Sequence, residues 1–299
     1  MALRPEVKAA MSAYLQGSAK YHGDFKYPAW AFEYAKLADE VKVDMPPVDG
    51  YPYKLSVFTA HNKAENGPLH VNIHGGGFSN PHQINDTLFS AWLADQIRGV
   101  VVDVDYTLSG EAAWPVCLDQ CRDAGKYAYA HAAEWGCDPK RISIGGYSAG
   151  GTLTMGVLMK AKETGEVPYC LGVNGYGPTR LSFHEDQRPE GEEYWKTGGR
   201  NFAFVDLLFD GEVEKSFDPY FSCAYASDEQ LKGLPPVAII AAGEDAFRKD
   251  NADLAQRLAY LGENVSFCCI KGAVHGFIPH FMDYWEEGGL LVAEAIKKY

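Results

Sequence analysis

One short stretch, residues 145–151, constrains the fold more than any other part of the chain. It contains the pattern G-x-S-x-G at residues 146–150, with Ser148 at its centre. A β-branched segment at 141–144 precedes it and predicts a buried strand; an apolar segment at 152–159 follows it and predicts a buried helix. A strand, a sharp turn and a helix form the context in which such a serine is held in a strained conformation with its hydroxyl exposed. We therefore predict a nucleophile at Ser148; the alternative is a glycine-rich turn without chemistry.

Apolar strand patterns and helical patterns alternate along the rest of the chain. The predicted strands lie at residues 41–43, 51–59, 69–73, 99–106, 141–144, 169–173, 235–242 and 264–270. Helical patterns lie between most of them, and a closing helix is predicted at 282–298. Because strands joined by helices form right-handed crossovers, these segments predict an α/β fold with a mostly parallel, eight-stranded sheet and helices on both faces.

Two segments do not follow this alternation. Residues 1–40 have a helical, amphipathic pattern with several aromatic residues, and residues 178–230 are rich in charge and aromatics and too long for a plain connection. We expect both to form a small helical cap beside an α/β domain at 41–299, with 178–230 as the cap insertion. The alternative is a structural insertion far from any site.

A serine nucleophile needs a base within hydrogen-bonding reach, and histidine is the usual one. Three histidines follow the turn: His184 in the insertion, His275 directly after the last predicted strand, and His280 at the start of the closing helix. Functional groups in this architecture lie in loops at the carboxyl ends of strands. That position favours His275.

The carboxylate that orients the base is expected in a similar loop. Asp245 directly follows the strand at 235–242, Glu244 is a weaker choice, and Asp250 is expected to belong to the next helix. The resulting chain order is Ser148, Asp245, His275, which is the order of an α/β-hydrolase.

The negative oxygen of a tetrahedral intermediate requires preorganised N–H donors. We predict one donor at Ala149, directly after the serine. The others are predicted at Gly75 and Gly76, in the glycine run that follows the strand at 69–73. His74 precedes this run, and we interpret it as bracing the loop rather than acting as a base.

Composition excludes several classes of partner. The net charge of −13 argues against nucleic acid and anionic membranes. No apolar run reaches membrane-spanning length and the first residues carry no signal-peptide core, so a cytoplasmic protein is expected. The seven cysteines are odd in number and lack the spacing of a zinc site, so they are interpreted as small buried hydrophobes.

Taken together, the segments at 74–78 and 146–151 resemble the hormone-sensitive-lipase-like family of α/β-hydrolase esterases. Shorter matches at 105–108, 138–142, 234–236 and 274–277 support the resemblance, which covers roughly residues 65–285. The family usually has an acidic residue where Tyr147 stands and Pro-Leu after its catalytic aspartate, where this chain has Ala246 and Phe247. The resemblance implies an esterase with a small cap, acting on short acyl esters.

We therefore expect a serine carboxylic-ester hydrolase that accepts acetyl to butyryl esters, including acetylated sugars, and that requires no metal or organic cofactor. Its acyl pocket is predicted among Phe78, Tyr147, Phe277, Ile278 and aromatic residues of the cap. Two other functions stay open: an arylformamidase-like amide hydrolase and a non-catalytic ligand-binding homologue. A homodimer through an exposed edge strand or the last helix also stays open.

Overall fold

A computed structural model of the chain describes residues 27–182 and 199–299, together with a few positions between residues 4 and 13. Within these residues, eight strands form one sheet in the order β1-β2-β4-β3-β5-β6-β7-β8. The strands are β1 (Ala38–Val48), β2 (Tyr51–Ala60), β3 (Gly67–Ile73), β4 (Val100–Asp105), β5 (Cys137–Tyr147), β6 (Leu171–Gly175), β7 (Val237–Ala242) and β8 (Val265–Ile270). Every predicted strand is present.

The sheet is parallel except at one edge. Strands β1 and β2 pair antiparallel with each other, β2 pairs antiparallel with β4, and all further neighbours are parallel. The direction of winding reverses at β3, because β4 lies on one side of it and β5 on the other. The loops after β3 and β5 therefore leave the same edge of the sheet side by side, where open α/β sheets bind their ligands.

Helices cover both faces of the sheet. They are α1 (Ile84–Ile97), α2 (Val116–His131), α3 (Ala149–Thr164), α4 (Gly199–Leu208), α5 (Asp228–Leu231), α6 (Arg248–Tyr260) and α7 (Trp285–Lys298). Helices α2, α3 and α6 contribute apolar side chains to one core cluster, which we call the first core, on one face. Helices α1 and α7 contribute to the second core, on the opposite face. The central strands β3 and β4 are buried throughout or nearly so, which agrees with their continuous apolar sequence.

The chain departs from the prediction at the ends of some elements. Strand β1 begins at Ala38, inside the segment expected to be helical, and a 3₁₀ helix at Ala29–Lys36 precedes it. The last helix begins at Trp285 rather than at residue 282. Residues 183–198 of the expected cap insertion, and most of residues 1–26, lie outside the described residues. None of the described helices is long and apolar enough to cross a membrane.

Candidate active site

Ser148 lies at the junction of β5 and α3 in a backbone conformation that only a tightly packed turn enforces. Its φ is 55° and its ψ is −120°, a left-handed value that a residue with a side chain rarely adopts. The glycines on either side permit the turn. A Cβ on Gly146 would lie 2.6 Å from the carbonyl oxygen of Ile73, and a Cβ on Gly150 would overlap that same oxygen. The turn therefore presses against β3 and turns the serine side chain outward.

The structure brings Ser148, His275 and Asp245 together although they are far apart in sequence. The Oγ of Ser148 lies 2.7 Å from Nε2 of His275, and Nδ1 of His275 lies 2.7 Å from Oδ2 of Asp245. The loops after β5, β7 and β8 supply these groups. Both distances are those of strong hydrogen bonds, so a proton on the serine can pass to a ring that the carboxylate orients.

The Asp245 carboxylate is itself held in place. Its side chain is only 3% exposed, and its Oδ1 accepts a hydrogen bond of 3.1 Å from the backbone N–H of Phe247. The neighbouring Glu244 is exposed. Burial and orientation thus distinguish the two acids that the sequence left as alternatives.

The other histidines occupy different places. His280 lines the cavity, with its Nδ1 3.3 Å from the hydroxyl of Tyr27, whereas the histidine bonded to Ser148 is His275. His184 lies outside the described residues. Asp250 is in the first turn of α6, as expected, and burial raises the pKa of its carboxyl above the ordinary value.

The glycine loop after β3 runs along Ser148. A Cβ on Gly75 would lie 3.3 Å from the Cβ of Ser148, and Gly76 has a φ of 107° that favours glycine. In the part of the chain that the structure describes, the N–H groups of Gly75 and Gly76 donate no hydrogen bond. The N–H of Ala149 begins α3 and has no intrahelical acceptor. All three residues line the same cavity as Ser148, and within the described residues their N–H groups have no acceptor.

His74 braces this loop. Its ring stacks on Tyr106 with centroids 4.3 Å apart, and its Nδ1 lies 2.7 Å from the carbonyl oxygen of Gly75. The residue is 1% exposed and is not among the described residues that line the cavity. The interpretation of His74 as a loop residue agrees with this placement.

A cavity of about 380 Å³ opens above Ser148, at the small end of the range for ligand sites. Phe78 and Tyr147 line it, as predicted, and so does Phe204 of the expected cap insertion. The prediction for Phe277 and Ile278 is wrong. Both are fully buried in the second core, where they pack against Gly288 of α7, because the loop after His275 turns inward.

A polar wall borders the cavity where the glycine loop enters α1. Asp86 is buried there and accepts hydrogen bonds from the backbone N–H of Gln83 and from the Asn85 amide, at 2.8 and 3.1 Å. Burial raises the pKa of Asp86 above its ordinary value, and the nearby His82 opposes the rise. We define the polar wall as Asn80, Gln83, Asn85, Asp86 and His280.

Behind the wall, His82 and Asp103 form a buried ion pair with 3.2 Å between Nε2 and Oδ2. Burial by itself would lower the pKa of His82, but the charge and hydrogen bond of Asp103 raise it to about 9. Ser90 donates a second bond of 2.6 Å to the same carboxylate oxygen. Among the described residues, no group of three or more His, Cys, Asp or Glu side chains is arranged to hold a metal ion.

Comparison with known proteins identifies the family. Residues 70–279 match the family described as alpha/beta hydrolase fold, which is more than half of the chain. The versiconal hemiacetal acetate esterase of Dothistroma septosporum is 30% identical over 240 residues, covering 73% of this chain and 71% of that protein. The chain belongs to the hormone-sensitive-lipase-like esterases of the α/β-hydrolase family.

Other relatives of this esterase agree. Carboxylesterase NlhH of Mycobacterium tuberculosis is 29% identical over 72% of this chain and 67% of its own. A bacterial heroin esterase superposes with a TM-score of 0.77 and 26% identity, covering 99% of this chain and 98% of the other. An esterase of Pyrobaculum calidifontis gives a TM-score of 0.78 at 25% identity, covering 100% and 95%. The predicted fold and the predicted enzyme class are confirmed.

Sequence reasoning missed the polar wall of this esterase. Asn80, Asn85 and Asp86 follow the glycine run within a few residues, but they match no pattern with a known chemical meaning. Their proximity to a glycine loop that borders the serine was the available signal. Only the turn of the chain into α1 shows that they face the cavity.

Proposed function

We propose that this esterase is a serine carboxylesterase that hydrolyses small esters with acetyl to butyryl chains through an acyl-enzyme. The observation that carries the proposal is the continuous hydrogen-bond relay from Ser148 through His275 to buried Asp245, with distances of 2.7 Å at both steps. Ser148 and His275 line the cavity together with Gly75, Gly76 and Ala149.

In the acylation step, the Oγ of Ser148 attacks the ester carbonyl carbon while Nε2 of His275 takes the hydroxyl proton. Asp245 holds the ring and stabilises the imidazolium that forms. The carbonyl oxygen becomes an oxyanion and accepts hydrogen bonds from the N–H groups of Gly75, Gly76 and Ala149, whose positions do not have to change. The bond to the alcohol oxygen then breaks, and His275 returns its proton to that oxygen.

Deacylation repeats the sequence with water. His275 removes a proton from a water molecule, whose oxygen attacks the acyl carbon of the ester on Ser148. The oxyanion forms again at the same donors and collapses, the bond to Oγ breaks, and the proton returns to the serine. The acid leaves, and the enzyme is restored with no net change in protons beyond those of the products.

The substrate range is proposed from the shape of the cavity. Phe78 and Phe204 pack against each other with centroids 5.7 Å apart, and Leu181 lies in the same core, so this end of the cavity, whose whole volume is about 380 Å³, is apolar. Acetyl to butyryl chains suit such a space. The relative from D. septosporum is named for an acetate ester, which agrees with a small acyl group. Acetylated sugars are included in the proposal.

The test is hydrolysis of p-nitrophenyl esters from acetyl to decanoyl by the wild type and by Ser148→Ala. We expect activity that falls with chain length beyond butyryl and that disappears in the variant. More than a few per cent of activity in Ser148→Ala would refute the mechanism, and faster turnover of decanoyl esters would refute the chain-length range. A formyl-anilide substrate hydrolysed faster than its ester analogue would indicate an amide hydrolase instead. Failure of a fluorophosphonate to label Ser148 would indicate a ligand-binding protein.

Three further proposals concern organisation. Residues 1–40 and the insertion at 178–230 are proposed to form a cap. In support, Phe204 lines the cavity, and Tyr27 forms hydrogen bonds with two lining residues, Asn85 and His280. A cytoplasmic location is proposed from the acidic charge and from seven cysteines that are all free thiols. A homodimer is proposed through the edge strand β8, where Phe267 is 42% exposed, or through the last helix, α7, where Leu290 is 39% exposed. Sedimentation of the wild type and Phe267→Glu tests the dimer.

A further inference from the structure

The two ends of the cavity differ in chemistry. One end belongs to the first core and is lined by Phe78, Leu181 and Phe204. The other end lies over the second core and is bordered by the polar wall defined above. Ser148 lies at the sheet edge between the two faces. An ester whose carbonyl carbon lies at Ser148 therefore extends one part toward apolar side chains and the other toward polar ones.

Within the described residues, Asn80 is the member of the polar wall whose side chain has a buried oxygen without a partner. It is 6% exposed, and its side-chain carbonyl oxygen is buried without a hydrogen-bond partner among the residues described. A buried polar group without a partner destabilises the folded protein, so a ligand or a water is the expected partner of such a group. The loop itself fixes the place of Asn80, because its backbone N–H donates to the carbonyl oxygen of Gly76 at 3.0 Å.

Asn80 is also close to the reacting centre. A Cβ on Gly76 would lie 2.8 Å from the Cβ of Asn80. Gly76 is a proposed oxyanion donor, so a group that pairs with the Asn80 amide lies within a few bonds of the ester carbonyl. A hydroxyl both donates and accepts, so it can pair with the amide whichever way the amide is turned.

Two further residues of the wall, Asn85 and Asp86, are positioned by hydrogen bonds, and the carboxylate of Asp86 can accept more of them. The hydroxyl of Tyr27 donates to Asn85 at 2.8 Å, and Asn85 in turn donates to Asp86 at 3.1 Å. Each carboxylate oxygen of Asp86 accepts one such bond, whereas a carboxylate offers about four acceptor sites. A hydrogen-bond donor on a substrate can bind at the acceptor sites of Asp86 that are not used within the protein.

The charges around the wall favour a neutral ligand. The described residues that line the cavity include no Lys or Arg, and Asp86 repels an anion. The charged His82 lies behind the wall near Asp86 and offsets its negative charge, which weakens any attraction for an ammonium group. Neutral groups with several hydrogen-bond donors and acceptors match these conditions best.

We propose that the polar wall is a subsite for the alcohol part of the substrate and selects a neutral, hydroxyl-bearing alcohol, such as a polyol or a sugar, with Asn80 pairing to a hydroxyl near the ester. The acyl group then occupies the apolar end. This inference rests on the proposed esterase function and assigns Asn80 and Asp86 to substrate specificity.

The test compares glycerol 1-monoacetate with propyl acetate, which share the acyl group and chain length and differ in two hydroxyls. We expect the wild type to have a higher kcat/KM for the glycerol ester, and Asn80→Leu to lower the ratio of the two values about tenfold. Asn62→Leu, at an exposed asparagine that is remote from the cavity, is the matched control and leaves the ratio unchanged. Asn80→Ala serves as a second variant, and thermal unfolding of all the variants shows whether the leucine variant has a folding defect.

Several results would overturn the proposal. An unchanged ratio in both Asn80 variants, with equal losses for the two esters, would mean that Asn80 acts on the ester group itself. Faster hydrolysis of acetylcholine than of the glycerol ester by the wild type would mean that the wall binds a cation. If the wild type hydrolyses p-nitrophenyl acetate but shows no preference for the glycerol ester, the subsite fails and the esterase function stands. If it hydrolyses none of these esters, both fail.

Discussion

Replacement of Asp245 by asparagine is the sharpest test of the proposed mechanism. The carboxylate is 3% exposed and lies 2.7 Å from Nδ1 of His275, while the His275 side chain is 37% exposed. For charges roughly 4 Å apart at an effective dielectric constant of about 20, the attraction that stabilises the imidazolium is about 4 kcal/mol. The exposure of the ring reduces this to roughly 3–4 kcal/mol. At about 1.4 kcal/mol for each tenfold change, kcat/KM should fall roughly 10²–10³-fold.

The assay is kcat/KM for p-nitrophenyl acetate at neutral pH. The neighbouring Glu244→Gln provides a matched control, because it removes an exposed carboxylate one residue away. We expect the control to stay within about twofold of the wild type, since an exposed charge is screened. The argument is refuted if Asp245→Asn keeps more than a tenth of the activity, or if Glu244→Gln loses as much as Asp245→Asn does. Equal melting temperatures for the three proteins exclude a folding defect.

Three other predictions concern stability and reactivity. Gly150→Ala should lower the free energy of unfolding in urea by ~3 kcal/mol, because its Cβ overlaps the carbonyl of Ile73; wild-type stability would contradict the packing. The His82–Asp103 pair raises the pKa of His82 from 6.5 to about 9, so its contribution of roughly 3 kcal/mol is complete below pH 6.5 and is lost as the pH rises through 9. The free energy of unfolding in urea should therefore differ less between pH 6 and pH 10 in His82→Gln than in the wild type. An equal difference in the two proteins would contradict the contribution of the pair. Cys269 is exposed, so a thiol reagent should modify one thiol per chain in a fast phase that is absent in Cys269→Ser. A fast phase that persists in this variant would show that another cysteine is the reactive one.

Local pattern was sufficient for the elements around Ser148. Strands of β-branched residues, the glycines of the turn and the apolar helix after it specify short-range backbone conformations, and these depend on neighbouring residues alone. The loop positions of Asp245 and His275 followed from the order of strands, because the carboxyl ends of parallel strands meet at one edge. The prediction for these residues agreed with the arrangement in the structure for that reason.

The pocket residues could not be predicted in the same way. Phe277 and Ile278 directly follow His275, yet the chain turns them into the second core, where they are fully buried. Nothing in their sequence distinguishes them from an aromatic residue such as Phe78, which does face the cavity. The difference depends on how α7 packs against the sheet.

The amino-acid sequence by itself determined the fold family, the turn at Ser148 and the chain order of Ser148, Asp245 and His275, because hydrophobic periodicity and glycine turns act over short distances. Only the tertiary structure decided which side chains line the cavity. Asn80 in the glycine loop and Asp86 in the first turn of α1 meet His280, from the loop before α7, at one cavity, and Tyr27 joins Asn85 and His280 across most of the chain length. Such contacts depend on how helices pack on a twisted sheet, and that packing is set by the whole core at once.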